Sequence, residues 1–338
     1  MKGRMFIAPV VIVTFLLPLF LCLPAHAQEK TITLKYSNTF PAANKISAIP
    51  ETWCKEVEKR TNGRVKATHF AGATLTPPVQ TYDSVVKGIA DVGLSFCSYT
   101  RGKFPLTEVL DLPLGIKSAI HGTKMANDYL GRFKPKEFDE VKMAYLATSP
   151  PHFLFTKKSV NNMEELRGLK IRSTGTSAKV VQALGGAPVG MPMGEAYDAL
   201  SKGVAEGIVC PYEPMKGFNL AETVNFCAQY DQVYANVSFV AINKAKWNSI
   251  SKADQQVIEK INEEWAERQA KLWDELNAEA KEVFTQKGGK TIMLSKEENA
   301  RWSARLRPIL DEYVKTMKEK GLPGEEALKF CFDYLKAN

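Results

Sequence analysis

The sequence has few histidines and no spacing of residues that marks a metal or catalytic centre. Four histidines occur in 338 residues. His69, His121 and His152 stand in no metal-ligand pattern such as HExxH, so each is interpreted as a structural or surface histidine. Residues 175–179 are too short for a phosphate-binding loop, and residues 93–97 lack the final glycine of a nucleophile elbow. We therefore expect no catalytic set, no metal and no cofactor.

Cysteine is also sparse, and its spacing indicates neither redox nor metal chemistry. The chain has six cysteines, five of them after Cys22, and none forms a CxxC motif. An odd number leaves at least one thiol unpaired, and a chain of this length needs no disulfide framework. We expect mainly buried free thiols. If one disulfide forms, Cys210 and Cys227 are the favoured pair.

The charge of the chain has no concentrated patch. The formal net charge is +8, and removing Lys2 and Arg4 with the N-terminal segment lowers it to +6. The basic residues are mixed with acidic ones, without the clustered arginine, lysine and aromatic residues of a nucleic-acid surface. A nucleic-acid partner is therefore not expected, and only a weak preference for anions follows.

Long apolar runs are absent after the N-terminus. Lys2 and Arg4 precede an apolar run over 5–23, and Ala25 and Ala27 form a small-x-small cleavage pattern. These features predict a signal peptide over residues 1–27, with a mature chain outside the cytoplasm. An uncleaved membrane anchor is the alternative, which the prolines within the run disfavour.

The clearest pattern in the chain lies between residues 166 and 209. It alternates short apolar runs with amphipathic stretches that end at glycines, which predicts a parallel α/β unit. Thr176 or Ser177 is the expected cap of its first helix. The predicted elements are strand 169–173, helix 178–184, strand 188–189, helix 195–202 and a strand beginning at 208–209.

A similar unit precedes it, so two lobes are expected. The remaining 28–338 exceed the usual size of one core. The first unit is predicted as strand 31–37, helix 46–61, strand 65–70, helix 79–87 and strand 90–95. We place lobe I at residues 28–150 and 237–270, and lobe II at residues 151–236 and 271–338.

Three later stretches complete this expectation. Residues 237–243 predict a strand that returns to the first lobe. A long helix should begin at Ser251, end at Gly288 and span both lobes, with a dimeric coiled coil as the alternative. Residues 297–336 predict a polar, helical tail.

Arg172 is the candidate around which function is organised. It ends a predicted strand of the parallel unit, where ligands of such sheets bind. Its guanidinium offers a planar fork of donors that fits a carboxylate, and the next helix begins beside it. A structural salt bridge is the alternative role for this side chain.

Several stretches of the chain resemble the solute-binding proteins of TRAP transporters, of the dicarboxylate-binding-protein type. The resemblance extends over nearly the whole chain after residue 27 and implies an α/β, two-lobed periplasmic-binding-protein-like fold. Each lobe would be a mixed, mostly parallel sheet flanked by helices, with a long C-terminal helix across the hinge. It also implies a periplasmic receptor, without enzyme activity, that hands an organic acid held by Arg172 to membrane permease subunits. The stretches that carry it are 166–172, 184–189, 195–200, 203–207, 58–64, 88–91 and 242–247.

The sequence departs from that family at two places, and the departures concern the ligand. Many members have a second arginine where this chain has Pro150, Pro151 and His152, and a polar segment where it has residues 208–211. Unpaired polar groups in a dry cleft cost about 1–3 kcal/mol each, so we expect a monocarboxylate with an apolar or aromatic remainder. Glu213 could instead accept an amine of a hydrophobic amino acid. The candidate contacts besides Arg172 are Asn38, Phe40, Phe96, Tyr99, Cys210, Tyr212, Glu213 and Phe218.

Two other functions stay open at this point. One is a sensor subunit that serves a signalling partner, and the other is a periplasmic enzyme on the same scaffold. The receptor is expected to be a monomer.

Overall fold

The computed structural model describes residues 31–337, which form one compact unit from Thr31 onward. The predicted signal peptide, residues 1–27, lies outside the described residues. The strands are β1 (Ile32–Asn38), β2 (Val65–Phe70), β3 (Val92–Phe96), β4 (Val141–Thr148), β5 (Phe153–Thr156), β6 (Lys170–Ser173), β7 (Ala187–Gly190), β8 (Gly207–Cys210), β9 (Phe226–Gln229), β10 (Val237–Asn243) and β11 (Lys290–Met293).

The helices lie between and after these strands. None in the described part of the chain is both long enough and apolar enough to cross a bilayer. They are α1 (Ala48–Arg60), α2 (Thr81–Val86), α3 (Ala119–Phe133), α4 (Met163–Leu166), α5 (Thr176–Ala183), α6 (Ala196–Ser201), α7 (Glu213–Gly217), α8 (Lys244–Ser249), α9 (Lys252–Gln286), α10 (Lys296–Glu319) and α11 (Gly324–Ala337).

The first lobe is built on a five-stranded sheet in the order β2-β1-β3-β10-β4. Strand β1 pairs in parallel with β2 and β3, whereas β10 is antiparallel to β3 and β4. Strand β3, between β1 and β10, is buried along its whole length, as expected for a central strand covered on both faces. The predicted first α/β unit and the returning strand at 237–243 are both confirmed.

The second lobe is built on a six-stranded sheet in the order β11-β9-β5-β8-β6-β7. Strand β6 pairs in parallel with β7 and β8, and β5 lies antiparallel between β8 and β9. Both lobes therefore place the first strand of their unit between the second and third. Strands β9 and β11 are additions that the sequence did not predict; they pair with each other, and β9 also pairs with β5.

Two extended segments connect the lobes and pair with each other. Residues 149–152 lead from β4 to β5, and residues 230–236 lead from β9 to β10. The Ser149 amide donates to the Asn236 carbonyl, and the His152 amide donates to the Tyr234 carbonyl, both at 2.9 Å. These two segments, here named the connectors, form a short two-stranded crossing between the sheets.

The long helix α9 packs against both lobes. It has 35 residues, about 50 Å at about 1.5 Å per residue. The Ser251 hydroxyl accepts the Asp254 amide, so the predicted cap is confirmed. The helix contacts α1 and α3 of the first lobe and α7 of the second. Its buried tryptophans, Trp265 and Trp273, pack within the first-lobe core.

The tail is helical, as predicted. It consists of two helices, because Gly321 has a φ of +67° and Pro323 follows it. Helix α10 contacts α5, and α11 returns to α3. The exact lobe boundaries stay a prediction.

The predicted side-chain cap of α5 is wrong, whereas the predicted buried free thiols are confirmed. Helix α5 is capped by Gly175 without a side-chain bond, because the Ser177 hydroxyl donates to the Thr174 carbonyl instead. The five described cysteines are buried and free. Cys210 and Cys227 cannot pair, because β5 lies between their strands. Two strand spacings of about 4.8 Å exceed the distance a disulfide can bridge.

Candidate ligand-binding site

A narrow cavity lies between the lobes, where the carboxyl ends of β3, β6 and β8 meet the connectors. Its volume is about 30 Å³, enough for one or two water molecules. Such a position is the usual ligand site of open parallel sheets. Its lining consists of Phe40, Phe96, Tyr99, Ser149, His152, Arg172, Met193, Pro211, Glu213, Pro214, Phe218, Asn236 and Trp273.

Arg172 lies on β6 and is 1% exposed. Its Nε and Nη2 both donate to the Met191 carbonyl, at 3.1 and 2.7 Å. No carboxylate of residues 31–337 forms an ion pair with it. A buried charge without a counter-ion is costly. The guanidinium is therefore oriented by a carbonyl but leaves room for an anion, which argues against a structural salt bridge.

The connectors supply neutral polar groups next to Arg172. His152 is 2% exposed, and its Nε2 lies 2.7 Å from the Ser149 hydroxyl. Its Nδ1 is buried and has no hydrogen-bond partner among the described residues. Burial, with a smaller effect from Arg172, holds the pKa of His152 well below its usual value. The imidazole is therefore neutral and does not compete with Arg172 for an anion.

Aromatic rings form a further part of the cavity lining, here named the aromatic wall: Phe40, Phe96, Tyr99 and Trp273. The ring centroids of Phe96 lie 5.9 Å from Phe40, 5.4 Å from Tyr99 and 6.0 Å from Trp273. The pairs with Phe40 and Tyr99 are edge-to-face, a favourable arrangement for aromatic rings, and the pair with Trp273 is tilted. Phe218 of the second lobe adds another ring to the lining.

Glu213 contributes a buried carboxyl at the start of α7. It is 4% exposed, and burial raises its pKa to about 7, an increase that a hydrogen bond from Asn44 limits. The Asn44 amide belongs to the first lobe and donates to Oε1 at 2.9 Å. The Glu213 backbone amide donates to the side chain of Asn277 on α9. The carboxyl is thus held by the first lobe, while α9 fixes the backbone of Glu213.

Other contacts close the cleft around the cavity. The Met193 amide of the second lobe donates to the Tyr99 hydroxyl of the first at 3.1 Å. Gly175 has a φ of +51°, and a Cβ there would lie 2.8 Å from Ser98 Cβ. Only glycine fits this approach of the two lobes. A wider cavity of about 430 Å³ shares Tyr99 with this one and has Arg101 in its lining.

The structure gathers six of the predicted contacts around one cavity and leaves three outside its lining. Arg172, Phe40, Phe96, Tyr99, Glu213 and Phe218 line it. Asn38 is buried beneath it and bonds within its own lobe. Cys210 lies in the second-lobe core, and the Tyr212 hydroxyl bonds to Gln229 and Thr291. Tyr212 follows β8 on the side opposite to its neighbours Pro211 and Glu213.

Sequence reasoning missed several lining residues. His152 lines the cavity and is buried, so it is not a surface histidine, and its place at the cleft was not predicted. Its place beside the position of the family's second arginine was a signal of this role. Trp273 on α9, Asn236 in a connector and Met193 between β7 and α6 had no such signal, because only tertiary packing brings these segments to the cleft. No group of three or more metal-binding side chains occurs within the described part of the chain.

Comparison with known proteins agrees with this architecture. The family model for bacterial extracellular solute-binding protein family 7 matches residues 37–316. The outer membrane transporter protein TsaT of Comamonas testosteroni is 25% identical over 331 residues, covering 95% of this chain and 96% of that protein.

Two solved structures extend the similarity. A TRAP solute-binding protein from a marine metagenome, specific for aromatic acid ligands, has a TM-score of 0.85 and 27% identity. It was solved with metahydroxyphenylacetate, and the match covers 90% of this chain and 99% of that one. A TRAP periplasmic solute-binding protein from Bordetella bronchiseptica with bound mandelate has a TM-score of 0.84, 27% identity and the same coverages. The chain belongs to the bacterial extracellular solute-binding proteins of family 7, the binding receptors of TRAP transporters.

Proposed function

We propose that this receptor captures a small monocarboxylate with an apolar or aromatic remainder. The carboxylate pairs with Arg172, and the remainder lies against the aromatic wall. The lobes close on the ligand by bending at the connectors. Because the cavity in this arrangement has a volume of only about 30 Å³, an aromatic acid can enter only after the lobes separate.

The main observation in support of the proposal is that the buried guanidinium of Arg172 has no carboxylate partner among residues 31–337. A guanidinium that is 1% exposed and bonded only to one carbonyl is a ready partner for a carboxylate. The two-pronged fork makes two parallel, charge-assisted bonds to such a group. The neutral His152 beside it supplies no second positive charge, so a second carboxylate would lack a counter-ion there.

The aromatic wall supports the choice of an apolar remainder. Phe40, Phe96 and Trp273 are buried and face the cavity together. Binding sites of this kind are mostly apolar, with a few polar groups that orient the ligand. Receptors of similar structure were solved with metahydroxyphenylacetate and mandelate, which are both aromatic monocarboxylates.

The proposal includes a cellular setting. The N-terminal segment directs the chain out of the cytoplasm and is then removed, and the monomeric receptor works in the periplasm. It delivers its ligand unchanged to the membrane permease subunits of a TRAP transporter.

A thermal-shift screen of organic acids tests the proposal. We expect benzoate, its hydroxylated relatives or mandelate to raise the melting temperature, whereas succinate should not. At a concentration of 100 times its dissociation constant, a ligand stabilises the protein by about 2.7 kcal/mol. The variant Arg172→Lys should lose most of this shift, because a single ammonium cannot make the paired fork.

Mass spectrometry of the bound ligand gives a second readout. The acid should be recovered chemically unchanged after long incubation. A shift of equal size in wild type and Arg172→Lys would contradict the role of Arg172, and turnover of the acid would favour an enzyme.

A further inference from the structure

We infer that the carboxyl of Glu213 is a selective ligand contact that favours acids whose far end is uncharged and carries a hydroxyl or carbonyl group. This inference rests on the proposed function. In it, Arg172 holds the ligand's carboxylate, and Glu213 meets the other end of the same molecule. Asn44 fixes the carboxyl from the opposite lobe, so the contact forms when the cleft is closed.

The hydrogen bonds around Asn44 fix which way its amide points. Its Oδ1 accepts the Ile46 backbone amide at 2.9 Å, so this atom must be the oxygen. Its Nδ2 is therefore the donor that reaches Glu213 Oε1 at 2.9 Å. Because Oε1 accepts this bond, the proton of a neutral Glu213 belongs on Oε2. An oxygen that carries a proton can donate to a ligand.

Gly217 provides the space for this arrangement. A Cβ at position 217 would lie 2.0 Å from Glu213 Oε1 and 2.5 Å from Asn44 Nδ2. Any side chain there would expel either the carboxyl or the amide. The bond between the lobes therefore depends on three residues together: an asparagine from the first lobe, and a glutamate and a glycine from α7.

The surroundings of Glu213 favour the neutral form of its carboxyl. It is 4% exposed, lies in a cavity lined mainly by rings and prolines, and forms no ion pair within residues 31–337. Burial raises its pKa to about 7. An ionised Glu213 would repel an anionic ligand and lose its donor, so binding should weaken as the pH rises above 7.

The other charged groups near Glu213 do not reverse this expectation. Lys45, before α1, and Lys216, on α7, both pair with Glu279 of α9 at the surface. Glu222 pairs with Lys287, and Lys281 lies over the Tyr212 ring. Within the cavity, His152 stays neutral because burial lowers its pKa, and burial raises the pKa of the Cys210 thiol. Arg172 holds the opposite end of the ligand.

Titration calorimetry with a matched set of acids tests the inference. The set is benzoate, 3- and 4-hydroxybenzoate, isophthalate and L-phenylalanine, measured at pH 6 and pH 8. We expect one hydroxybenzoate to bind about tenfold more tightly than benzoate at pH 6. Isophthalate should bind more weakly than benzoate. The affinity of wild type for the hydroxybenzoate should fall about tenfold between pH 6 and pH 8.

Two variants separate the role of Glu213 from its packing. Glu213→Gln keeps a neutral donor and the acceptor for Asn44, so its affinity should match that of wild type at pH 6 and change little at pH 8. Glu213→Leu should bind both benzoate and the hydroxybenzoate equally. If Glu213→Leu does not fold, the flat profile of Glu213→Gln remains a sufficient test.

The possible failures are distinguishable. In one outcome, benzoate binds through Arg172 while a hydroxyl group on the ring does not increase the affinity and Glu213→Gln keeps the pH dependence of wild type. In that case the inference is wrong and the proposed function stands. Preferred binding of L-phenylalanine would overturn it in favour of an ionised Glu213 that accepts an ammonium group. If no acid binds, both the function and the inference fail.

Discussion

The two α/β units of this receptor share one topology but end their central strands differently. In each unit the first strand lies between the second and third, as β2-β1-β3 and as β7-β6-β8. Strand β1 ends at Asn38, and β6 carries Arg172 next to its end. Both residues are buried at the carboxyl edge of a parallel sheet.

Hydrogen bonding distinguishes these two strand ends. Asn38 accepts the Phe40 amide and donates to Ser47 and His69, so its polar atoms are engaged inside the first lobe. Arg172 bonds only to the Met191 carbonyl, with no carboxylate partner in the described chain. The polar atoms at the end of β1 are therefore satisfied within the first lobe, whereas the guanidinium near the end of β6 remains available to a ligand.

A comparison of two arginines leads to the same conclusion. Arg64 of the first lobe makes a bidentate pair with Asp254 at the start of α9, with distances of 3.1 and 2.7 Å. It is partly exposed and fastens a long helix to its lobe. Arg172 is more deeply buried and has no such partner. A carboxylate partner within the protein is typical of a structural arginine, and the lack of one supports the proposed role of Arg172 as the ligand contact.

Removing each arginine should separate stability from binding, and this is the largest effect we expect. Arg172→Ala should weaken binding of an aromatic monocarboxylate by about 2–5 kcal/mol, the cost of truncating one partner of a buried charge pair. Arg64→Ala should leave affinity unchanged but lower the free energy of unfolding. Calorimetry and urea unfolding of both variants measure the two quantities.

The distinction between a structural Arg64 and a ligand-binding Arg172 would be wrong if the two variants behaved alike. A loss of stability in ligand-free Arg172→Ala as large as that in Arg64→Ala would show that Arg172 is structural. We expect a small change there instead, because the substitution also removes the cost of an uncompensated buried charge.

The sequence predicted the repeated unit well, for a physical reason. Strand, helix and glycine stop recur locally, so residues 169–209 could be divided into elements with errors of a few residues. It failed for β9 and β11. Each of these four-residue strands forms because a neighbouring strand provides backbone hydrogen-bond partners along its edge. Local sequence cannot carry that information.

The site was predicted less completely than the fold. Arg172 stood out because a strand end and a helix start flank it. Tyr212 did not differ in sequence from the aromatics that line the cavity, yet it points into the second-lobe core. Whether an aromatic side chain faces the cleft depends on the direction of its strand and on the packing of α9. Neither can be read from the residues next to it in the sequence.

Two buried carboxyls should give opposite pH dependences of stability. The pKa of Glu213 is raised to about 7, so the folded state keeps a proton that the unfolded state releases above about 4.5. The stabilisation from Glu213 is complete below that pH and is lost as the pH rises through 7. At about 1.4 kcal/mol per pH unit, ligand-free Glu213→Gln should exceed wild type by about 3 kcal/mol at pH 8.

Asp254 is the matched control from the first lobe. A hydrogen bond from Arg64 lowers its pKa, so its stabilisation is present at neutral pH and is lost as the pH falls. Asp254→Asn should therefore be less stable than wild type at pH 7, with a smaller difference at pH 4. Urea unfolding across pH 4–8 checks both signs. The same slope for both variants would contradict the pKa assignments.

A substitution at Gly175, where the two lobes approach each other, should have the smallest effect on ligand binding. Gly175→Ala would place a Cβ 2.8 Å from Ser98 Cβ and 3.1 Å from its Cα, across the cleft. Gly168→Ala is the control, because its φ of +76° is also positive but no atom lies within 4 Å of the added Cβ. Both variants should lose about 1 kcal/mol of stability from the positive φ. Only Gly175→Ala should also weaken ligand binding, by about fivefold or roughly 1 kcal/mol, because the clash is felt where the lobes meet. Equal affinities for the two variants would show that closure of the lobes does not require the contact between Gly175 and Ser98. Binding by the second lobe would then depend on Arg172, at the end of β6, alone.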